Sequence, residues 1–353
     1  MSSDIIIQKN GFCCDYITFT FTRNEYSIIG AKRLSEVLED FCGLSNGYLT
    51  IDKFDCSRRG LNGYDLSARF GNGFIISTAT DNKNLGNSVM VNISGQGLKE
   101  IGSDNLYRIL IFCSKSAKFN CTRFDLAFDD FTGVLPLKQI KIAFNRFQSG
   151  FKNIDTRFTR ENLVTYNGVW NNVKYTNFAF GSRGSSQYMR IYDKRAEQGA
   201  KGAFDEVFAP SYWYRFEMEC RKGVARTVCD QFIDGVPLEE LFQLFISRML
   251  RFLSRNATAS ELNHIQRVPT ADWWLKFIQS DCKGQLNHYD LDSSSTIDDM
   301  FNHIEKNYAA YLFVLRCVAP KRLEYIIDTV GRNKSRDVEK YRRIVECPHD
   351  MEF

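Results

Sequence analysis

Hydrophobic and polar positions alternate over residues 15–22, with Ile17, Phe19 and Phe21 on one side and Tyr16, Thr18, Thr20 and Thr22 on the other. That period of two predicts a strand with one buried face. Over 27–42 the spacing becomes helical, through Ile28, Ile29, Leu34, Val37, Leu38 and Phe41. Strand-like runs follow at 47–51, 64–70, 73–78 and 88–93, divided by the turn signals Asn62-Gly63, Gly71-Asn72-Gly73 and Gly86-Asn87; together they predict an antiparallel meander. A helix is expected at 105–116, a strand at 122–129 and a helix at 137–148. Strands at 175–180 and 188–192 flank the polar loop 181–187, and a further strand covers 213–221. From about Val224 helical spacing takes over, at 238–255, 271–279, 297–316 and 320–330, interrupted by the polar run 290–296. The alternation lacks the regular βαβ spacing of a parallel sheet. The predicted fold class is therefore α+β: an antiparallel-sheet domain with flanking helices over 12–223, then a mainly helical C-terminal region over 224–353.

Composition narrows the class without naming a function. With 353 residues, 44% of them hydrophobic and 25% charged, the chain has the make-up of an ordinary folded protein, and disorder, collagen and coiled coil are excluded. No window approaches the roughly 18 apolar residues of a membrane span, and Met1, Ser2, Ser3 and Asp4 carry no basic leader, so neither membrane insertion nor secretion is expected. The eleven cysteines include no Cys-x-x-Cys pair, which argues against a disulfide framework or a zinc ribbon. They read as buried thiols in a reducing cytoplasm. A formal charge of +4 permits a polyanionic partner but leaves the decision to local charge.

Three strands carry the candidate chemistry. In 123–129, Arg123, Asp125, Ala127 and Asp129 share one face and Phe124, Leu126 and Phe128 the other. In 214–221 the design repeats, with Arg215, Glu217, Glu219 and Arg221 opposite Phe216, Met218 and Cys220. Four acids converge if these strands share a sheet, and such hard oxygen donors suit Mg²⁺ or Mn²⁺. Cross-strand ion pairs on a solvated face would leave the same pattern. On the third strand Tyr188, Arg190, Tyr192 and Lys194 share a face. A phenol flanked by cations is a candidate nucleophile when a metal polarises its target; a tyrosine packed at a strand edge is the plainer reading.

Read together, Asp15-Tyr-Ile-Thr-Phe, Val91-Asn-Ile-Ser-Gly-Gln-Gly97, Thr122-Arg-Phe-Asp-Leu-Ala-Phe-Asp-Asp130, Phe180-Gly-Ser-Arg183, Arg190-Ile-Tyr-Asp-Lys194 with Glu197, and Arg215-Phe-Glu-Met-Glu219 resemble the replication initiation factor family. That family comprises rolling-circle plasmid initiators and related relaxases of integrative conjugative elements. The blocks run in family order from about residue 15 to 221, and 269–277 resembles a helical segment further downstream. The resemblance implies a metal-dependent endonuclease and strand transferase whose tyrosine attacks a phosphodiester, stays on the 5′ phosphate and frees a 3′ hydroxyl. It assigns the nucleophile to Tyr192, with Arg190 and Lys194 as its cations, and assigns Asp125, Glu217, Glu219 and, more weakly, Asp129 to Mg²⁺ or Mn²⁺. None of the four histidines forms a His-x-His pair, so histidine-based nicking enzymes are a poor match. The implied partners are DNA at an origin, locally single-stranded or in a hairpin, together with a host helicase and a second copy of the chain, in a bacterial cytoplasm. A relaxase at a transfer origin, a phage protein, or an inactive DNA-binding regulator fits the same residues.

No helix-turn-helix pattern precedes Asp15, so DNA recognition is expected elsewhere. Arg183 and Arg123 are candidate DNA contacts at the site, and Arg332, Lys334 and Arg336 within the basic stretch 316–343 are candidates outside it. A second basic stretch, 138–174, interleaves seven cations with Phe144, Phe147, Phe151 and Phe158, as backbone tracking and base stacking require. Either stretch also reads as a solvated helix face. Ser94-Gly95-Gln96-Gly97 is read as a strand-end turn, and Trp273-Trp274 as a pair with one ring in the core.

Overall fold

The computed structural model describes residues 11–278, apart from 46, 59, 81–84, 171 and 201–210, and residues 312–325 apart from 314. The chain divides into two compact units, Met1–Leu291 and Asp292–Phe353. In the second, a short helix covers Pro320–Tyr325, with Lys321 and Arg322 exposed.

In the first unit, β1 (Gly11–Thr22) leads into α1 (Gly30–Leu44) and then the meander β2 (Phe54–Arg58), β3 (Leu66–Phe70), β4 (Phe74–Thr78) and β5 (Val89–Ser94). Helices α2 (Gly95–Ile101) and α3 (Ser103–Ser114) precede β6 (Lys118–Asp130) and α4 (Leu137–Gln148). Next come β7 (Ile154–Thr156), β8 (Leu163–Trp170), β9 (Val173–Phe180), β10 (Gln187–Asp193), α5 (Lys194–Ala200) and β11 (Tyr214–Arg221). The helices α6 (Lys222–Ile233) and α7 (Leu238–Met249), the short strand β12 (Leu250–Phe252) and α8 (Asp272–Ile278) follow. Among the described residues ten strands form one antiparallel sheet in the order β2-β3-β4-β5-β1-β6-β11-β10-β9-β8, while β12 pairs with β7. The predicted α+β class is the one observed.

One sheet face carries the core. Phe124, Leu126 and Phe128 of β6, Phe216 and Met218 of β11, and Phe178 and Phe180 of β9 point into a single apolar cluster with residues of α1, α3, α4, α6 and α7. Phe216 meets Phe242 of α7 at 5.4 Å and Trp274 of α8 at 6.5 Å between ring centroids. The helices after residue 224, as far as Ile278, thus pack in the same core as the sheet. Trp274 is fully buried, and Trp273 packs partly exposed beside it. With its apolar face sealed by helices, the sheet leaves its other face free to hold polar side chains.

Three local expectations fail for identifiable reasons. Residues 47–51 form a turn instead of a strand: Ser45 Oγ accepts from the Leu49 amide at 2.8 Å, Gly47 has φ +82°, and the edge strand is β2. Ser94 to Gly97 does not end in a turn; Ser94 caps α2, its hydroxyl accepting from the Gly97 amide. The helix expected to reach residue 255 stops at Met249, where the chain turns into β12 beside β7. The hydrophobic pattern does not single out strands β7, β8 and β12 or helix α6.

Candidate active site

The polar face of β6, β11 and β10 carries the site in three rows set by register. Tyr188, Glu219, Asp125 and Tyr16 line up across β10, β11, β6 and β1. Arg190, Glu217 and Ala127 make the next row, and Tyr192, Arg215 and Asp129 the third. Strand parity chose the face, and antiparallel register chose which residues meet.

Oxygen atoms of Asp125, Glu217 and Glu219 lie within 4.8 Å of one another, and all three residues are buried. Arg123 Nη2 donates to Asp125 at 2.6 Å and to Glu219 at 2.8 Å. Arg221 pairs with Glu219 at 2.5 Å, and Arg190 donates to both Glu217 oxygens at 2.9 Å. Three arginines therefore face three carboxylates. Burial pushes the Asp125 carboxyl up to about 8; Arg123 opposes the rise, and the Glu217 and Glu219 charges add to it.

Asp129, the fourth expected acid, does not join this group. Its carboxylate accepts from Arg215 at 2.7 and 2.6 Å and from the Trp213 indole at 2.7 Å. Arg215 also pairs with Asp15. Asp15 falls at a register shift between Cys14 and Tyr16, and that bulge brings its carboxylate to the Arg215 side of the sheet. Alternation alone gives Asp15 to the opposite face from Tyr16, so the sequence pattern conceals its role.

Tyr192 is 4% exposed, and its hydroxyl donates to Glu217 Oε2 at 2.8 Å while accepting from Lys194 Nζ at 3.2 Å. Arg190 stacks over the ring at 4.4 Å. Burial and then the Glu217 charge push the phenol well above its ordinary value, against the pull of Arg190 and Arg215. Lys194 is itself tied to Glu197 at 2.6 Å. Tyr188, one strand repeat away, lies opposite Glu219 with Arg183 over its ring at 5.6 Å.

The donor set fits a hard divalent cation. The triad offers carboxylate oxygen alone, the donor type that Mg²⁺ or Mn²⁺ takes.

The expected DNA contacts separate. Arg183 stands exposed in the loop between β9 and β10, whereas Arg123 is committed to Asp125 and Glu219 and lies 4.1 Å from the Tyr16 ring. Arg332, Lys334 and Arg336 lie outside the described residues. In the 138–174 stretch, Phe144 and Phe147 are buried in the core, while Lys138, Lys141, Arg146, Lys152 and Arg157 remain at least partly exposed. The aromatic interleaving there is largely packing. Cys113, Cys121, Cys220 and Cys229 are buried free thiols, Cys13, Cys14 and Cys42 are half-buried, and Cys56 and Cys317 are exposed. Among the described residues no helix is long and apolar enough to cross a membrane.

No curated protein matches the chain. Among solved structures, a rolling circle replication initiator protein from Geobacillus stearothermophilus superimposes with a TM-score of 0.58 at 22% identity, covering 76% of this chain and 96% of that one. The two share a fold. The family model for replication initiation factors matches residues 119–330, from β6 with Asp125 through Tyr192 and the Glu217/Glu219 strand and beyond. On that match over more than half its length, the chain belongs to the replication initiation factor family.

Proposed function

We propose that the protein nicks and rejoins one DNA strand at a replication origin, with Tyr192 as nucleophile and a divalent cation held by Asp125, Glu217 and Glu219. The observation that carries this reading is the Tyr192 hydroxyl, hydrogen-bonded to Glu217 at 2.8 Å and to Lys194 at 3.2 Å beside the acidic triad. Glu217 is in place to accept the phenolic proton, and Lys194 and Arg190 offset the charge left on the oxygen. The phenolic oxygen bonds to phosphorus as the bond to the 3′ oxygen breaks; the 5′ phosphate stays on Tyr192, and the departing oxygen takes a proton from water to become a 3′ hydroxyl. Because the phosphotyrosine link is itself a phosphodiester, a 3′ hydroxyl can later reverse the step and rejoin the strand. The cation, when bound, polarises the scissile phosphate and offsets the triad's charge, so that Tyr192 is less resistant to deprotonation. The free 3′ end is a primer, and a family of replication initiation factors in a bacterial cytoplasm is the setting this chemistry suits.

The test is a covalent adduct. A single-stranded origin oligonucleotide labelled downstream of the cut should leave its label on the denatured wild-type protein. The Tyr192→Phe variant should form no adduct, and Tyr188→Phe should form it. The converse pattern would move the nucleophile by one strand repeat, and a nick without any adduct would make water the nucleophile.

A further inference from the structure

Beside Tyr192 the polar face continues into an open groove of about 480 Å³ between α5 and strands β8, β9 and β10. Register puts Ala179 next to Arg190, Val164 next to Ala179, Tyr166 next to Asn177, and Gly168 next to Tyr175. Asn177 Oδ1 accepts from the Asp193 amide at 2.9 Å, which joins this face to the strand end that carries Tyr192. The floor is made of small residues, Ala179 and, from α5, Ala196, both buried. Its walls are aromatic and basic: Tyr166, Tyr175, Tyr188, Arg183 and Arg190.

Two features mark these rings as more than packing. Tyr166 is 56% exposed on a face that no helix of the core covers. Tyr175 lies against Gly168, where an added Cβ would fall 2.3 Å from the ring's Cζ. A glycine at that strand position leaves room for the ring and holds it in place. The groove's acids are already engaged, Glu197 by Lys194 at 2.6 Å and Asp193 by the Ala196 amide at 2.8 Å. Arg190 is held by Glu217, so the cation left to meet a ligand is the exposed Arg183, and the exposed ring is that of Tyr166.

We propose that this groove is a base-stacking subsite, which takes an unpaired nucleotide of the DNA strand adjoining the phosphate at Tyr192. The Tyr166 and Tyr175 rings hold the base, and Arg183 meets the backbone. Planar rings accept any base face, and the Arg183 guanidinium supplies the phosphate contact, so the subsite selects single strand over duplex without reading sequence. The inference rests on Tyr192 as the reacting group for its place in the reaction, but binding can be measured apart from cleavage.

The experiment measures equilibrium anisotropy of a fluorescein-labelled single-stranded dT oligonucleotide, with chelator present, against wild type, Tyr166→Ala and Tyr166→Phe. Tyr166→Ala should weaken binding about 5- to 150-fold, the range for loss of one stacked base, while Tyr166→Phe keeps wild-type affinity. Tyr166 is exposed, so neither variant disturbs the core, and matched circular dichroism checks this. A dissociation constant for Tyr166→Ala within twofold of wild type overturns the subsite. So does a Tyr166→Phe variant as weak as Tyr166→Ala, or a wild type that does not retain the oligonucleotide. Adduct formation lost in Tyr192→Phe with Tyr166→Ala binding normally would sink the groove alone; adduct persisting in Tyr192→Phe with the stacking loss intact would sink the nucleophile alone.

Discussion

Asp125 links protonation to the acidic triad. Its carboxyl is buried, with Glu217 and Glu219 adding to the upward push that Arg123 opposes, and it stands at about 8 in the fold against about 4 in an unfolded chain. The sign follows from linkage: a carboxyl raised on folding contributes stability that is fully present below about pH 4 and is lost as pH rises through about 8. A divalent cation bound to the triad, as proposed, would replace the lost proton. Mg²⁺ should therefore raise the melting temperature more at pH 9 than at pH 6, and Asp125→Asn should flatten that difference in a thermal-shift titration. In nicking assays Glu219→Gln should lower the rate by orders of magnitude at fixed Mg²⁺, and excess chelator should stop wild type altogether. At this scale the sequence shows which residue types share a face, since parity puts Asp125, Asp129, Glu217 and Glu219 on the polar side. It does not show that Asp129 is taken by Arg215 and Trp213, because that depends on cross-strand register and on a bulge at Asp15.

Among the elements, α2 shows how a short glycine motif positions the site. A Cβ on Gly97 would meet the Gly73 carbonyl carbon at 2.5 Å, and one on Gly95 would meet Asp15 Oδ1 at 2.6 Å. The helix start is thus pressed against the chain entering β4 and against the carboxylate that pairs with Arg215. Both contacts need glycine, and neither follows from the motif as a local turn. Gly95→Ala should push Asp15 away from Arg215 and lower nicking, with a smaller loss of stability than Gly97→Ala, which strikes backbone; parallel melting curves and adduct yields separate the two. On the opposite face, Trp274→Ala should cost about 3–5 kcal/mol in urea unfolding, as expected for a fully buried indole packed on Phe216, Phe252 and Phe277. The helices and strands with strong periodicity, such as 137–148 and 188–192, are legible in the sequence. The weak ones, such as β8 with Tyr166, Asn167 and Gly168 at its centre, owe their state to pairing with β9, a nonlocal interaction that outweighs local propensity.

At the scale of the molecule, the face with the acidic triad and Tyr192 lies on strands near the middle of a ten-stranded sheet, with helices from before and after those strands in the chain sealing the other side. A formal charge of +4 is too small to hold DNA by itself, so local cations must do it. If the basic stretch that includes Arg332, Lys334 and Arg336 tracks phosphate, neutralising all three should weaken binding to every DNA alike. The slope of log affinity against log salt should then fall by about one for each phosphate no longer neutralised. Cleavage of a short single-stranded oligonucleotide would be largely spared. An unchanged slope in a salt titration would make those residues a solvated face.

What the sequence carries by itself is what repeats locally: the alternation of β6, β10 and β11, the α+β class, and the order of the family's motifs, through which resemblance singled out Tyr192 among 16 tyrosines as the expected nucleophile. Such features survive because a strand's two faces and a helix's stripe are set within a few residues. Tertiary structure decided which of those faces meet. It joined Asp125 to the distant Glu217 and Glu219, gave Arg123 to Glu219 across strands, diverted Asp129 to Arg215, and laid Tyr175 over Gly168. Nearly all of those pairings span strands, and register between strands is set by the packing of the whole sheet, not by any stretch of chain alone.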